Sequence, residues 1–258
     1  MSEADVALSP AVRAALIARL TALADDELTL AHRDAEWTGH APLLEEDIAL
    51  ANLAQDELGH AMLWLDLRAG LDGSDPDALA FRRDPADWRN LPLTEQPRGD
   101  WAYTMLRQYL FDAWELRWLA AARGSAWAPL AEAAGQVTRE ERFHLEHSAQ
   151  WVEQLGLGTE ESQRRAQNAL DELWPLALQL PERVPGEEAA IFDGLLPDPE
   201  ALRADWQQAV TGHLTRCGLN IPKHTSTPFS RKAHSPHLTE LLTEFQAVAR
   251  TDPEAVRW

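Results

Sequence analysis

Only one cysteine, Cys217, occurs in 258 residues. A lone thiol excludes an intrachain disulfide framework and points to a reducing compartment. Positive charge is also scarce: 23 Lys and Arg stand against 42 Asp and Glu, a formal net charge of −19. Binding nucleic acid requires cationic groups against phosphates, and an anionic membrane would repel such a surface, so neither is expected as a partner. No apolar run approaches the roughly 20 residues of a membrane span. Met1-Ser2-Glu3-Ala4-Asp5 has no basic, apolar leader pattern. Together these features read as cytoplasmic. Val and Ile are sparse, and no stretch with the two-residue period of a strand stands out.

The composition that remains favours helices, being rich in Ala and Leu, with eleven Trp. At 45% apolar and 25% charged, the chain can bury a sizeable core. Ser9-Pro10 is a cap followed by proline at the first helical position. The leucine spacing after it predicts a helix ending before Gly39. A second helix is expected from Pro42 to Gly70, and a long connection with Asp, Pro and Gly clusters over 71–98. Further helices are expected at about 100–123, 126–155, 159–180, 200–216 and 236–250. A proline-rich linker covers 181–199, and 218–234 reads as irregular.

Two Glu-x-x-His steps lie on these helices, Glu57-Leu58-Gly59-His60 and Glu141-Arg142-Phe143-His144. Each follows an acid on the preceding long helix: Glu27 lies 30 residues before Glu57, and Asp112 lies 29 before Glu141. At about 1.5 Å rise per residue, Glu27 sits about 15 Å below the first turn and Glu57 about 22 Å beyond Pro42, while Asp112 and Glu141 sit about 16–20 Å from the second turn. Both hairpins can therefore bring their acids to one depth. Residues three apart share a helical face, so each Glu and its His can point inward together. Four carboxylates and two imidazoles suit two iron ions, with manganese second. Asp56, Glu115, Glu140, Glu146 and His147 compete for these roles, and the matched spacing sets them aside. Most other acids, and His213, His224, His234 and His237, are expected at the surface or in loops. Cys217 reads as a small buried residue, and the Trp residues as bundle core. The expected architecture is all-α: one ferritin-like four-helix bundle domain over 1–258, with its core at about 10–155 and a helical extension over about 159–258.

Longer stretches carry a resemblance. Glu36-Trp37-Thr38-Gly39-His40-Ala41-Pro42, Leu44-Glu45-Glu46-Asp47-Ile48-Ala49-Leu50-Ala51-Asn52, Glu95-Gln96-Pro97, Arg107-Gln108-Tyr109-Leu110-Phe111-Asp112-Ala113-Trp114, Trp151-Val152-Glu153-Gln154-Leu155-Gly156 and His237-Leu238 resemble the PaaC family. That family is the C subunit of ring-1,2-phenylacetyl-CoA epoxidase, and the likeness runs from about Leu23 to Trp258. It implies a ferritin-like fold and an accessory role beside a catalytic A subunit and the other subunits of the complex. Such a complex uses dioxygen and reducing equivalents to epoxidise the aromatic ring during aerobic phenylacetate catabolism. In the family the working di-iron site belongs to the A subunit, and the C-subunit site is degraded in many members. This chain departs from that pattern by retaining ligand-capable side chains at all six positions.

Three functions follow as expectations. The first is a structural, non-catalytic subunit whose Trp-rich helices supply apolar area for the A subunit. The second is a metal-binding subunit with its own di-iron carboxylate centre at Glu27, Glu57, His60, Asp112, Glu141 and His144. The third is an unrelated ferritin-like binding or storage protein. Association into a homo-oligomer is a further expectation left open. Basic residues of the 216–232 stretch are candidates for contacting a coenzyme A moiety.

Overall fold

The structure is a computed structural model that describes residues 8–224 and 229–252. Met1-Ser2-Glu3-Ala4-Asp5, the end of the PaaC-like stretch at Trp258, and part of the 216–232 segment lie outside the described residues. Ten α-helices and one 3-10 turn at Pro85–Asp87 make up the regular structure of the described residues. Four are long and build the bundle: α1 (Pro10–Ala35), α2 (Leu44–Asp72), α4 (Trp101–Ala122) and α5 (Ala128–Gly156). The short α3 (Pro76–Phe81) lies in the connection between the two hairpins. After the bundle come α6 (Glu160–Ala177), α7 (Glu188–Phe192), α8 (Pro199–Arg216), α9 (Pro236–Phe245) and α10 (Ala247–Thr251). The protein is an all-α, ferritin-like bundle with additional C-terminal helices.

Local chemistry sets the ends of the long helices. Ser9 accepts from the Val12 amide at 3.3 Å and Pro10 opens α1. Asp100 accepts from Tyr103 at 2.9 Å and opens α4. The second helix begins at Leu44 instead of Pro42, because Asp47 Oδ1 takes the Gly39 amide at 2.7 Å and holds the turn open to that point. It also runs through Gly70. Gly73, with φ of 72°, provides the left-handed residue that ends it. Glycine at 156 reflects crowding: a Cβ there would stand 2.2 Å from the Cys217 carbonyl oxygen.

α1 packs along α2, α4 along α5, and the two hairpins meet at the α2–α5 seam. α6 and α8 cover α4 and parts of α5, while α7 and α9 lie on α1. One continuous apolar core runs from Val12 to Leu242. Trp64, Trp88, Trp118 and Trp206 are wholly buried in or beside it, and Trp64 meets Trp118 edge-on at 6.4 Å. The tryptophans are thus mostly spent on the interior. Outward apolar area includes Leu44, Ile48, Leu58 and Met62 of α2, Phe143 of α5, and the scattered Leu43, Leu157, Phe192 and Val248.

Several acids expected at the surface are buried. Asp25 is paired with Arg83 and accepts from the Arg89 amide at 2.8 Å. Asp26 accepts from the Leu91 amide at 2.5 Å and from Arg231 at 2.9 Å. Glu95 accepts from His234 at 3.0 Å and from the Ser235 amide at 2.6 Å. These carboxylates fasten the 83–95 connection and the 230–235 segment to α1. Arg231 and His234 are accordingly structural, so Arg231 is withdrawn as a free basic contact and His234 as a solvated loop histidine. His213 also departs from expectation, stacking half-buried on Tyr109 at 4.9 Å with Cys217 Sγ 3.4 Å away.

Arg19 of α1 and Glu187 form a buried two-pronged pair, Nε to Oε2 at 2.8 Å and Nη2 to Oε1 at 2.6 Å. This pair fixes α7 inside a segment whose prolines suggested only linker. Glu187→Ala would strand the arginine without its partner, and chemical denaturation should show a loss of about 3–5 kcal/mol. Arg19→Met with Glu187→Leu should recover most of that loss, because neither charge is then buried.

Candidate metal centre

Helical register carries the named side chains to one level of the bundle. Glu27 comes from α1, Glu57 and His60 from α2, Asp112 from α4, and Glu141 and His144 from α5; all six are buried. Two groups have ligand atoms within 4.8 Å of one another: Glu27, Glu57 and His60, and Glu57, Glu141 and His144. Glu57 belongs to both. His60 Nδ1 lies 3.8 Å from Glu27, 3.7 Å from Glu57 and 3.5 Å from Glu141. His144 Nδ1 lies 2.9 Å from Glu141 and 3.5 Å from Glu57. The two imidazole centroids are 5.9 Å apart.

The sixth residue stands slightly apart. Asp112 is at the same level, but Oδ1 accepts from Gln108 at 2.8 Å and Oδ2 from Ser148 at 2.8 Å. Gln108 also donates to Glu57 at 3.2 Å, so Asp112 reaches the two triads through one amide. Glu115, three residues along the same face of α4, is buried against Glu27, and its Oε2 has no hydrogen-bond partner. Matched spacing favours Asp112 over Glu115. One interval cannot choose between two acids three apart, because both share a helical face.

Outer contacts complete a crossed pattern. His60 Nε2 donates to Glu140 of α5 at 2.8 Å, and His144 Nε2 donates to Asp56 of α2 at 3.2 Å. Each outer acid immediately precedes a Glu-x-x-His step, and each serves the histidine of the opposite helix. A donor at Nε2 leaves the Nδ1 lone pair of a neutral ring directed inward.

The interior atoms meet one another at ion-pair distances but without aligned hydrogen bonds. Glu27 Oε2, Glu57 Oε2, both Glu141 oxygens, and Nδ1 of His60 and His144 have no hydrogen-bond partner. Burial pushes the Glu27 carboxyl well above the usual range, and neighbouring Glu115 and Glu57 push it further. Asp112 and Glu115 are raised the same way, by burial and then by Glu141. Burial also pushes Glu57 upward, but contacts with Glu27, His144 and His60 outweigh it and hold Glu57 below the carboxylate range. Burial pulls both imidazoles down; Glu57 for His60, and Glu141 with Asp56 for His144, raise them overall. Without metal, then, protons are favoured on Glu27, Asp112 and Glu115 and on the two histidines. The donor set of carboxylate oxygens and imidazole nitrogens, with its unpartnered atoms, fits two divalent ions of the iron or manganese type.

Four long helices enclosing a carboxylate–histidine cluster define the class as a ferritin-like helical bundle. Comparison with known proteins narrows this class. Residues 1–258 match the family described as phenylacetic acid catabolic protein, and the chain belongs to that family. Over 234 residues it is 38% identical to the C subunit of 1,2-phenylacetyl-CoA epoxidase from Escherichia coli (strain K12), covering 90% of this chain and 94% of that protein. No helix among the described residues is long and apolar enough to cross a membrane.

The direction of the pH response follows from these groups. His60 and His144 bind protons more tightly folded than unfolded, so their stabilisation is complete below 6.5 and is lost as pH rises through their raised values. Glu27, Asp112 and Glu115 have the same sign, complete below the ordinary carboxylate values. Glu57 has the opposite sign, but its contribution is already complete above 4.5. Urea titrations of chelator-treated protein should therefore show stability falling as pH rises from the ordinary carboxylate range, and falling further above 6.5 as the histidines join. Saturating Co²⁺ should flatten or reverse that slope, because cations replace the protons.

Proposed function

We propose that this chain is an accessory subunit of a multicomponent oxygenase that epoxidises the aromatic ring of phenylacetyl-CoA, binding the catalytic A subunit in the cytoplasm as one helical domain. The observation that carries this reading is the alignment with the epoxidase's C subunit over almost that protein's whole length. The α2 surface supports an association role. Leu44, Ile48, Leu58 and Met62 form one outward stripe on a helix whose opposite face is already packed in the bundle. An apolar stripe of that kind favours a protein partner. Membership of the phenylacetate family displaces the reading as an unrelated storage protein.

A second reading is supported by the unpartnered atoms of the cluster: the protein also holds metal. Glu57 would be shared between two ions. Glu27 and His60 would serve one and Glu141 and His144 the other, with Asp112 and Glu115 as the acids of α4. Bound iron supplies Lewis-acid and redox chemistry toward dioxygen. The chain's own part is to fix the ligands. Gln108 and Ser148 hold Asp112, Glu140 and Asp56 orient the imidazoles, and Trp64 closes over Glu27 with its Nε1 3.4 Å from Oε1.

Co-expression with the A subunit should yield a complex of fixed stoichiometry, and Leu58→Asp with Met62→Asp should release the partner while leaving the thermal transition of the isolated chain within a few degrees. A monomer indifferent to the A subunit would refute the accessory role. Metal analysis after growth in iron-replete medium should find close to two metals per chain, and Glu57→Ala, which removes the shared ligand, should cut this by more than half.

A further inference from the structure

The cluster is buried, yet it lies one side chain from solvent in one direction. Across the α2–α5 seam, Asp56 is 38% exposed and Glu140 is 47% exposed, and each holds the outer nitrogen of a histidine whose inner nitrogen faces the unpartnered oxygens. Elsewhere the cluster is walled by large or bonded groups: Trp64 over Glu27, Gln108 on Glu57 and Asp112, and Ser148 on Asp112. Gly59 sits beside His60 on the exposed side of α2, where a Cβ would meet nothing within 4 Å. Its φ is not among the positive values, so the backbone does not demand glycine there. A glycine within a helix costs about 1 kcal/mol relative to alanine. At this point, next in sequence to His60, the glycine leaves the helix surface without a side chain.

We infer that Asp56 and Glu140 are the admission point for divalent cations to the buried cluster. An ion held at either surface carboxylate weakens that carboxylate's hydrogen bond to the histidine. The freed imidazole can then turn about its side-chain torsions and open the way to Glu57 and Glu141. There are two routes, one through each crossed acid–histidine pair. A net charge of −19 concentrates cations near such surface carboxylates. The inference rests on the metal-binding reading and adds to it a path and two residues that are not themselves ligands.

Rapid mixing of chelator-treated protein with Co²⁺, followed by visible absorption, tests the path. Asp56→Asn with Glu140→Gln should slow the initial rate of uptake at least tenfold, whatever the final amount of cobalt bound. Each single variant should slow it less, since one route survives. Gly59→Leu should also slow uptake, by bulk alone, with both acids intact. Equal rates in the parent and all variants would overturn the path but leave metal binding standing. A lower final amount at an unchanged rate would mean that the two acids only orient the histidines, and would overturn it too. A parent protein that takes up no cobalt would overturn the metal-binding reading and, with it, the path.

Discussion

Burying several carboxylates at one level of a helical core is the constraint around which this molecule is organised. An isolated carboxylate charge costs several kcal/mol to desolvate in a protein interior. Glu27, Glu57, Asp112, Glu115 and Glu141 share that interior, with only two imidazoles among them as counter-charges. Two solutions exist. Protons can neutralise some acids and charge the histidines, or divalent cations can replace the protons. Directions of the acid and imidazole shifts describe the first state; the unpartnered oxygens and inward nitrogens are suited to the second. A structural metal would then contribute binding free energy directly to the fold, which is compatible with an accessory role in a complex.

The same economy of charge extends along α1. Asp25, Asp26 and Glu27 are consecutive and all buried, but they face different tasks. Asp25 fastens Arg83 and the Arg89 amide, Asp26 fastens Arg231 and the Leu91 amide, and Glu27 enters the cluster. The connection between hairpins and the C-terminal segment are thus anchored within one turn of the site. Rigidity of the ligand on α1 is inherited from packing that has no chemical role of its own.

Much of this was legible in the chain because it is written locally. Ser9-Pro10 and Asp100 open helices where their side chains can cap amides, and the two Glu-x-x-His steps place their residues on inward faces. What escaped has long-range partners. Asp25 meets Arg83 across 58 residues and Asp26 meets Arg231 across 205, so neither acid carries a local mark of burial. The five-residue α7 depends on Arg19 far upstream. Glu115 escaped because position along a helix face fixes direction but not which of two neighbours reaches the centre. Most tryptophans among the described residues belong to the core, as their number in a helical chain suggests, which leaves little of their surface for an interface. The outward stripe on α2 was hidden by its overlap with an apolar inner face.

Diffraction at the iron absorption edge, from crystals of protein grown with iron, tests the central claim most directly. The account predicts two anomalous peaks enclosed by α1, α2, α4 and α5, with Glu57 between them and His60 and His144 on opposite ions. A cluster without anomalous signal, its carboxylates satisfied by one another or by ordered water, would contradict it.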